Sequence, residues 1–283
     1  MTPFGWKVDG HQHFWDPVRG DYPWMPASGP LARPFLPSDL WPHQQAADVV
    51  GSVAIQAAPT VAETEWLLRL AQDDHSGILG VVGWVDLEAD DVHDQLDRIT
   101  SPHLVGVRPM VQDLPDDEWI ARPAVVRGLR ALEARGLVFE LLARPQHLPA
   151  ASRSLAQVPD LAVVVDHLAK PDYGLLDRGW VRDVSALAAR EGTWMKVSGL
   201  VTEVEADWGP DRFRSHVDVV LEAFGSDRVL LGTDWPVLTL SATYREVCHL
   251  LDELVGTLSQ PEQHRVWRGN CLALYGIPAP AGE

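Results

Sequence analysis

Six apolar runs in this sequence each end on side chains that could do chemistry. The first ends in His11-Gln12-His13 and the next in Arg108; Glu140 sits inside Leu-Val-Phe-Glu-Leu-Leu. Asp166-His167 follows Val163-Val164-Val165 and leads to Lys170-Pro171; Lys196 and Ser198 close another run, and Asp234 the last. Imidazoles and carboxylates move protons or hold metals. A guanidinium offers a fork to oxyanions and an ammonium a point charge. Buried charges are costly unless paired or bound to something. Each residue alone has a packing explanation. His11 and His13 form a common pair, Asp234 a helix cap, and Asp166-His167 a satisfied core pair. Glu140 could pair with Arg108 or Arg144, and Arg108 could satisfy backbone carbonyls. Each of those explanations requires a separate coincidence, so the set is expected to form one site.

The elements that must position these residues follow from hydrophobic spacing. Eight candidate strands run Val8–His13, Ser52–Ala57, Ile78–Val85, Val105–Arg108, Leu137–Leu142, Ala162–His167, Trp194–Ser198 and Val229–Thr233. Their near-continuous apolar character suits a parallel sheet covered by helices. Helical spacing appears between them in Val92, Leu96 and Ile99, in Val125, Leu129 and Leu132, and in Val217, Val220, Leu221 and Phe224. Thr60 with Glu63, and Ser259 with Glu262, read as capping boxes. Eight such units in about 250 residues predict a (β/α)8 TIM barrel, in a distorted form. One domain over 1–283, with its core at about 8–277, is expected. A doubly wound sheet is disfavoured because no Gly-x-Gly-x-x-Gly follows an early strand. Sites in such barrels lie at the carboxyl ends of the strands. Residues two apart on a strand share a side, so His11 and His13 should both face inward. Asp16 to Pro42 reads as a long Pro- and Trp-rich loop over that end.

Composition narrows the partners. The 283 residues include 23 basic and 40 acidic ones, a net charge of −17. That balance argues against nucleic acid and anionic membranes, which need basic patches. No apolar run reaches the roughly 18 residues of a membrane span. Met1–Gly10 lacks the basic-then-apolar order of a signal peptide. The two cysteines, Cys248 and Cys271, have no metal or disulfide spacing, so a cytoplasmic setting is expected. There are twelve tryptophans and only three lysines, of which Lys170 and Lys196 fall in the runs above.

Several segments resemble the amidohydrolase superfamily, and within it the branch of sugar lactonases and 2-pyrone-4,6-dicarboxylate lactonase. They are Val-Asp-Gly-His-Gln-His-Phe-Trp-Asp-Pro (8–17), Gly-Val-Arg-Pro (106–109), Val-Asp-His-Leu-Ala-Lys-Pro (165–171), Lys-Val-Ser-Gly-Leu (196–200) and Gly-Thr-Asp-Trp-Pro (232–236). Arg-Gly-Asn-Cys-Leu-Ala-Leu-Tyr-Gly (268–276) is similar to that branch's closing signature. The resemblance implies a catalytic group of His11, His13, His167 and Asp234, with Asp234 as the base that passes a proton from water to the leaving oxygen. It leaves two arrangements open. One zinc would be held by His11, His13 and Asp234 with Glu140 or His167, or the imidazoles would polarise the carbonyl without metal. A bridged two-metal site is not expected, because Arg108 rather than a lysine ends the fourth strand. Arg108, Lys196, Ser198, Glu140, Trp15 and Trp235 are the expected substrate contacts, with Trp24 and Trp41 also near the rim. Aromatic faces suit sugar C–H surfaces. The expected activity is hydrolysis of a sugar-acid lactone (fucono-, rhamnono- or galactono-lactone). A pyrone-dicarboxylate lactonase or lactone isomerase comes second. A metal-dependent decarboxylase is disfavoured because Glu140 stands where a histidine is needed. A non-catalytic binding barrel would have no need of the base. The expected partner is the small lactone, and a homo-oligomer is left open.

Overall fold

All eight apolar runs form strands: β1 (Lys7–Gln12), β2 (Val49–Ile55), β3 (Ile78–Gly83), β4 (Leu104–Val107), β5 (Val138–Leu141), β6 (Val163–Val165), β7 (Thr193–Val197) and β8 (Val229–Leu231). The computed structural model describes residues 5–205 and 208–279. The first four residues of the amino-terminal stretch lie outside that range. The strands are parallel and ordered β1 to β8, each bonded to the next. A helix follows each strand: α1 (Pro37–Ala46), α2 (Val61–Ala71), α3 (Val92–Arg98), α4 (Pro123–Glu133), α5 (Leu148–Leu155), α6 (Arg178–Ala188), α7 (Pro210–Phe224) and α8 (Tyr244–Leu254). Two more, α9 (Gln260–His264) and α10 (Asn270–Tyr275), close the chain. The architecture is the (β/α)8 barrel read from the sequence. Among the described residues, no helix is long and apolar enough to cross a membrane.

The helices form where spacing and caps agree. In α4, Val125, Leu129 and Leu132 lie on one buried face. Thr243 and Glu246 cap α8 reciprocally, and Ser259 and Glu262 do the same for α9. The box expected at α2 is only half formed. Thr60 accepts from Glu63 N, but the Glu63 carboxylate turns to Ala57 N and Ala58 N at 3.0–3.1 Å. There it fixes the loop at the end of β2. The loop expected at 16–42 is shorter than read, because α1 begins at Pro37.

Side chains alternate across the sheet. Phe139, Leu141, Val163, Val165 and Val197 pack outward against helix residues such as Leu129, Val184 and Val217. Val8, Val53, Val138, Val164 and Leu230 fill the barrel floor, with Cys271, Tyr275 and Ile277 of the closing segment beneath them. Each large apolar side chain so removed from water contributes about 1.5–3 kcal/mol. The inward positions above this floor are polar: Glu140, Lys196 and the residues beyond β1, β6 and β8.

The seam between β8 and β1 closes by loop contacts rather than a full ladder. Asp234 N donates to His11 O at 2.8 Å and His13 N to Trp235 O at 2.7 Å. A Cβ on Gly232 would stand 2.5 Å from His11 Cβ, so only glycine permits this approach. The Asp9 carboxylate clamps the seam, accepting from His11 N, Thr233 N, Thr233 Oγ1 and Tyr244 Oη at 2.5–3.1 Å.

Candidate active site

The seam brings His11, His13 and Asp234 together. His13 Nε2 lies 3.2 Å from Asp234 Oδ1 and 3.3 Å from His11 Nε2, and His11 Nε2 lies 3.7 Å from Asp234 Oδ1. Hydrogen bonding assigns the tautomers. His13 Nδ1 donates to Ile55 O at 2.9 Å, which leaves a lone pair on Nε2. Asp166 Oδ1 stands 3.4 Å from His11 Nδ1 and favours the proton there. Burial drives His11 well below the ordinary imidazole range, and Lys196 and His167 add to that against the pull of Asp166. Burial would raise Asp234, but the surrounding His167, His13 and His11 outweigh it and hold its carboxyl far below the usual range. With the ring protons on Nδ1, three lone-pair atoms converge.

That arrangement fits a cation. Four donors at about 2.0–2.1 Å around zinc lie about 3.3–3.4 Å apart, and the three distances here bracket that value. Nδ1 of each imidazole is oriented by a carboxylate or a carbonyl, the usual outer support of a metal-bound histidine. His11, His13 and Asp234 form one potential ligand set, and His11, Asp166 and His167 another. Glu140, expected as a further ligand, belongs to neither set.

Glu140 and Lys196 lie beneath the site, both fully buried. Lys196 Nζ contacts both Glu140 oxygens at 2.8 Å and stands 3.4 Å from Asp166 Oδ1 and His11 Nδ1. Tyr275 Oη, from α10, donates to Glu140 as well. Glu140 thus pairs with neither Arg108 nor Arg144. Burial pushes its carboxyl up to about 7 against Lys196. Burial opposes ionisation of Asp166 too, but Lys196, His11 and Arg108 keep it well below the carboxylate range. Arg108 reaches Asp166 Oδ2 at 3.3 Å and Gln56 O at 2.6 Å. Glu140, Lys196 and Ser198, expected as substrate contacts, are not among the residues that line the cavity. Lys196 on β7 and Glu140 on β5, the strands on either side of β6, both point inward, so their opposite charges meet inside the barrel.

β6 and β8 end earlier than expected, and His167 and Asp234 stand on left-handed backbone beyond them. Asp234 has φ +63°. His167, Leu168, Ala169 and Lys170 have φ +53°, +55°, +56° and +50°, a left-handed turn of four L-residues. Such backbone costs about 1–2 kcal/mol per residue, so the surroundings must hold it. Trp180 Nε1 donates to Leu168 O at 2.9 Å, Ser198 Oγ meets His167 Nδ1 at 2.8 Å, and Lys170 Nζ meets Glu203 Oε1 at 2.6 Å. Gly199 (φ +63°) lets the imidazole lie flat on the chain, since a Cβ there would be 2.5 Å from His167 Nδ1. Burial lowers His167 to about 4.

Above these groups opens a cavity of about 320 Å³. Its wall includes His13, Arg108, His167 and Asp234, the apolar Trp15, Trp24, Leu31, Met110, Leu142 and Val237, and the polar Gln112, Asp113 and Lys170. Trp15 is pinned through Nε1 to Leu31 O and Arg33 O, and Trp24 to Ala57 O. Trp235 does not line the cavity. It packs between Phe14 and Phe35. Trp41 lies on α1, lining surface depressions elsewhere. Sequence reasoning missed Gln112 and Met110, which sit in a loop without a motif. It quoted Tyr275 only as part of the closing signature, where a tyrosine amid small apolar residues was the signal.

The family model described as amidohydrolase matches residues 8–277. The L-fucono-1,5-lactonase of Burkholderia ambifaria is 35% identical over 286 residues, 98% of each chain. That of Burkholderia multivorans is 36% identical over 291 residues, 97% of each chain. A crystal structure of an amidohydrolase from Burkholderia multivorans with bound zinc is 34% identical, has a TM-score of 0.90, and aligns over 97% of this chain and 100% of that one.

Proposed function

The chain belongs to the amidohydrolase family, and on that premise we propose that it hydrolyses a sugar-acid 1,5-lactone to the open acid. The observation that carries this reading is an ionised, buried Asp234 held against two imidazoles at the base of a partly apolar cavity. The near-full-length likeness to two L-fucono-1,5-lactonases supports the substrate class.

In this reading Asp234 takes a proton from the water that attacks the lactone carbonyl. Ser198 donates into His167 Nδ1, so the His167 proton resides on Nε2 and is offered to the carbonyl oxygen as negative charge develops there. Arg108, fixed by Asp166 and Gln56, adds positive potential on the same wall. When the tetrahedral adduct collapses, the ring C–O bond breaks and Asp234 returns the proton to the departing ring oxygen. The products are a carboxylic acid and a hydroxyl on one chain. Burial keeps His11 and His167 neutral near pH 7, ready as donor or ligand rather than cation. A divalent metal held by His11, His13 and Asp234 would act as a Lewis acid on the carbonyl and lower the pKa of bound water. The mixed nitrogen and oxygen donors favour zinc.

The pyrone-dicarboxylate alternative is less well supported. Arg108 is the arginine among the lining residues, and Asp166 and Gln56 already engage it. A reducing compartment such as the cytoplasm agrees with Cys248 and Cys271, which are buried free thiols. The test is acid release from a panel of aldono-1,5-lactones and 2-pyrone-4,6-dicarboxylate, with and without chelator. Turnover of a 6-deoxy-hexono-lactone above all others is expected. Absence of acid release from every aldono-lactone defeats the reading.

A further inference from the structure

Outside the His–Asp–Arg centre, the cavity wall is apolar except for Gln112, Asp113 and Lys170. We propose that Lys170 and Gln112 form a hydroxyl-reading pair that holds the ring of the substrate. This inference rests on the lactonase reading above, and it adds two binding residues to the groups that act on the ester.

The left-handed turn explains how Lys170 gets there. At three residues per turn, side chains at i and i+3 eclipse one another. His167 and Lys170 are spaced by three, and both line the cavity. Leu168 and Ala169, between them, are fully buried on the other side. The strained backbone therefore serves Lys170 as much as His167.

The two side chains have complementary hydrogen-bonding capacity left over. An ammonium carries three N–H donors. Among the described residues Lys170 Nζ bonds only Glu203 Oε1, at 2.6 Å, and its side chain is 12% exposed. Gln112 Oε1 is buried and has no hydrogen-bond partner. Its amide nitrogen points instead to Asp113 Oδ2, 3.5 Å away. Two residues of the lining thus hold unused capacity, donors on Lys170 and an acceptor on Gln112. A hydroxyl donates and accepts at once, so a polyol ring satisfies both. A carboxylate would suit Lys170 but not the Gln112 oxygen. Glu203 holds the ammonium in place and limits its charge, which suits a neutral ligand further.

The test separates ring binding from ester chemistry. A 1,5-anhydro-6-deoxyhexitol has the hydroxylated ring but no carbonyl, so it reports binding alone. Its affinity is measured by calorimetry for the wild type, Lys170→Met, Lys170→Arg and Gln112→Leu, and acid release from L-fucono-1,5-lactone is followed in parallel. Thermal unfolding of each variant verifies the fold. The expected result is that Lys170→Met and Gln112→Leu each weaken anhydrohexitol binding at least tenfold. Lys170→Arg, which keeps donors, should recover part of it. On the lactone the loss should fall mainly on KM. A wild type that hydrolyses the lactone but binds no anhydrohexitol overturns the pair, as does a Lys170→Met variant that binds as tightly as wild type. A wild type that binds the anhydrohexitol through both residues but releases no acid upholds the pair and defeats the lactonase reading alone.

Discussion

Replacing Gly199 with alanine tests whether the position of His167 is set by the chain beneath it. Two effects separate cleanly. Alanine at φ +63° costs about 1 kcal/mol of backbone strain. Its Cβ would also stand 2.5 Å from His167 Nδ1 and 2.8 Å from Cγ, against an ordinary contact of 3.4 Å or more. The ring must therefore move by nearly 1 Å, breaking its 2.8 Å bond to Ser198. A misplacement of that size costs about 100-fold in rate. Gly136→Ala supplies the control. Gly136 has φ +65° and nothing within 4 Å of an added Cβ. In urea unfolding followed by tryptophan fluorescence, Gly136→Ala should lose roughly 1 kcal/mol and Gly199→Ala at least as much. Only Gly199→Ala should lose about two orders of magnitude in kcat/KM. The reasoning is refuted if Gly199→Ala keeps more than a third of wild-type activity, or if Gly136→Ala loses as much.

Three further outcomes follow from the structure. Lys196→Met leaves the buried Glu140 and Asp166 without their shared cation and should cost about 3–5 kcal/mol, of which Glu140→Gln in the same chain restores part; additive losses would contradict the pairing. Burial pushes Glu63 up to about 8 from 4.5, so its contribution to stability is complete below pH 4.5 and lost as pH rises through 8. The gap in unfolding free energy between wild type and Glu63→Gln should therefore shift in favour of the variant between pH 4.5 and 8.5, and a gap independent of pH rejects the assignment. Zinc at a hundredfold excess over its Kd should stabilise the wild type by about 2.7 kcal/mol, and His13→Ala should abolish the shift; an equal shift in that variant would place the metal elsewhere.

The barrel was legible because its strands carry a strong local signal. Val163-Val164-Val165 and Val229-Leu230-Leu231 are too short and too apolar to be anything but buried strands between helices. That His11, His13, His167 and Asp234 would lie together was legible because ionisable groups after such runs are costly unless they meet partners. The level at which each inward residue sits was not legible. Glu140 and His13 both follow apolar runs, yet one pairs with Lys196 below the cavity and the other opens into it. That difference depends on strand stagger and on α10, which brings Tyr275 to Glu140 from far along the chain. The left-handed turn at His167–Lys170 has no glycine to announce it, since tertiary contacts from Trp180, Ser198 and Glu203 impose it. The packing of Trp235 against Phe14 and Phe35 was not legible, because a tryptophan beside a site residue can equally face the cavity or fill the packing behind it.

The central claim is that Asp234 carries the proton between water and the ring oxygen. Its most direct test is acid release from L-fucono-1,5-lactone by the wild type and by Asp234→Asn, at pH 7 and matched metal content. A positioned proton-transfer group contributes about 10²–10⁴-fold. The account predicts a kcat at least 100-fold lower for Asp234→Asn, with an unchanged fold and retained ring binding. An Asp234→Asn enzyme that keeps more than a tenth of the wild-type kcat would contradict it.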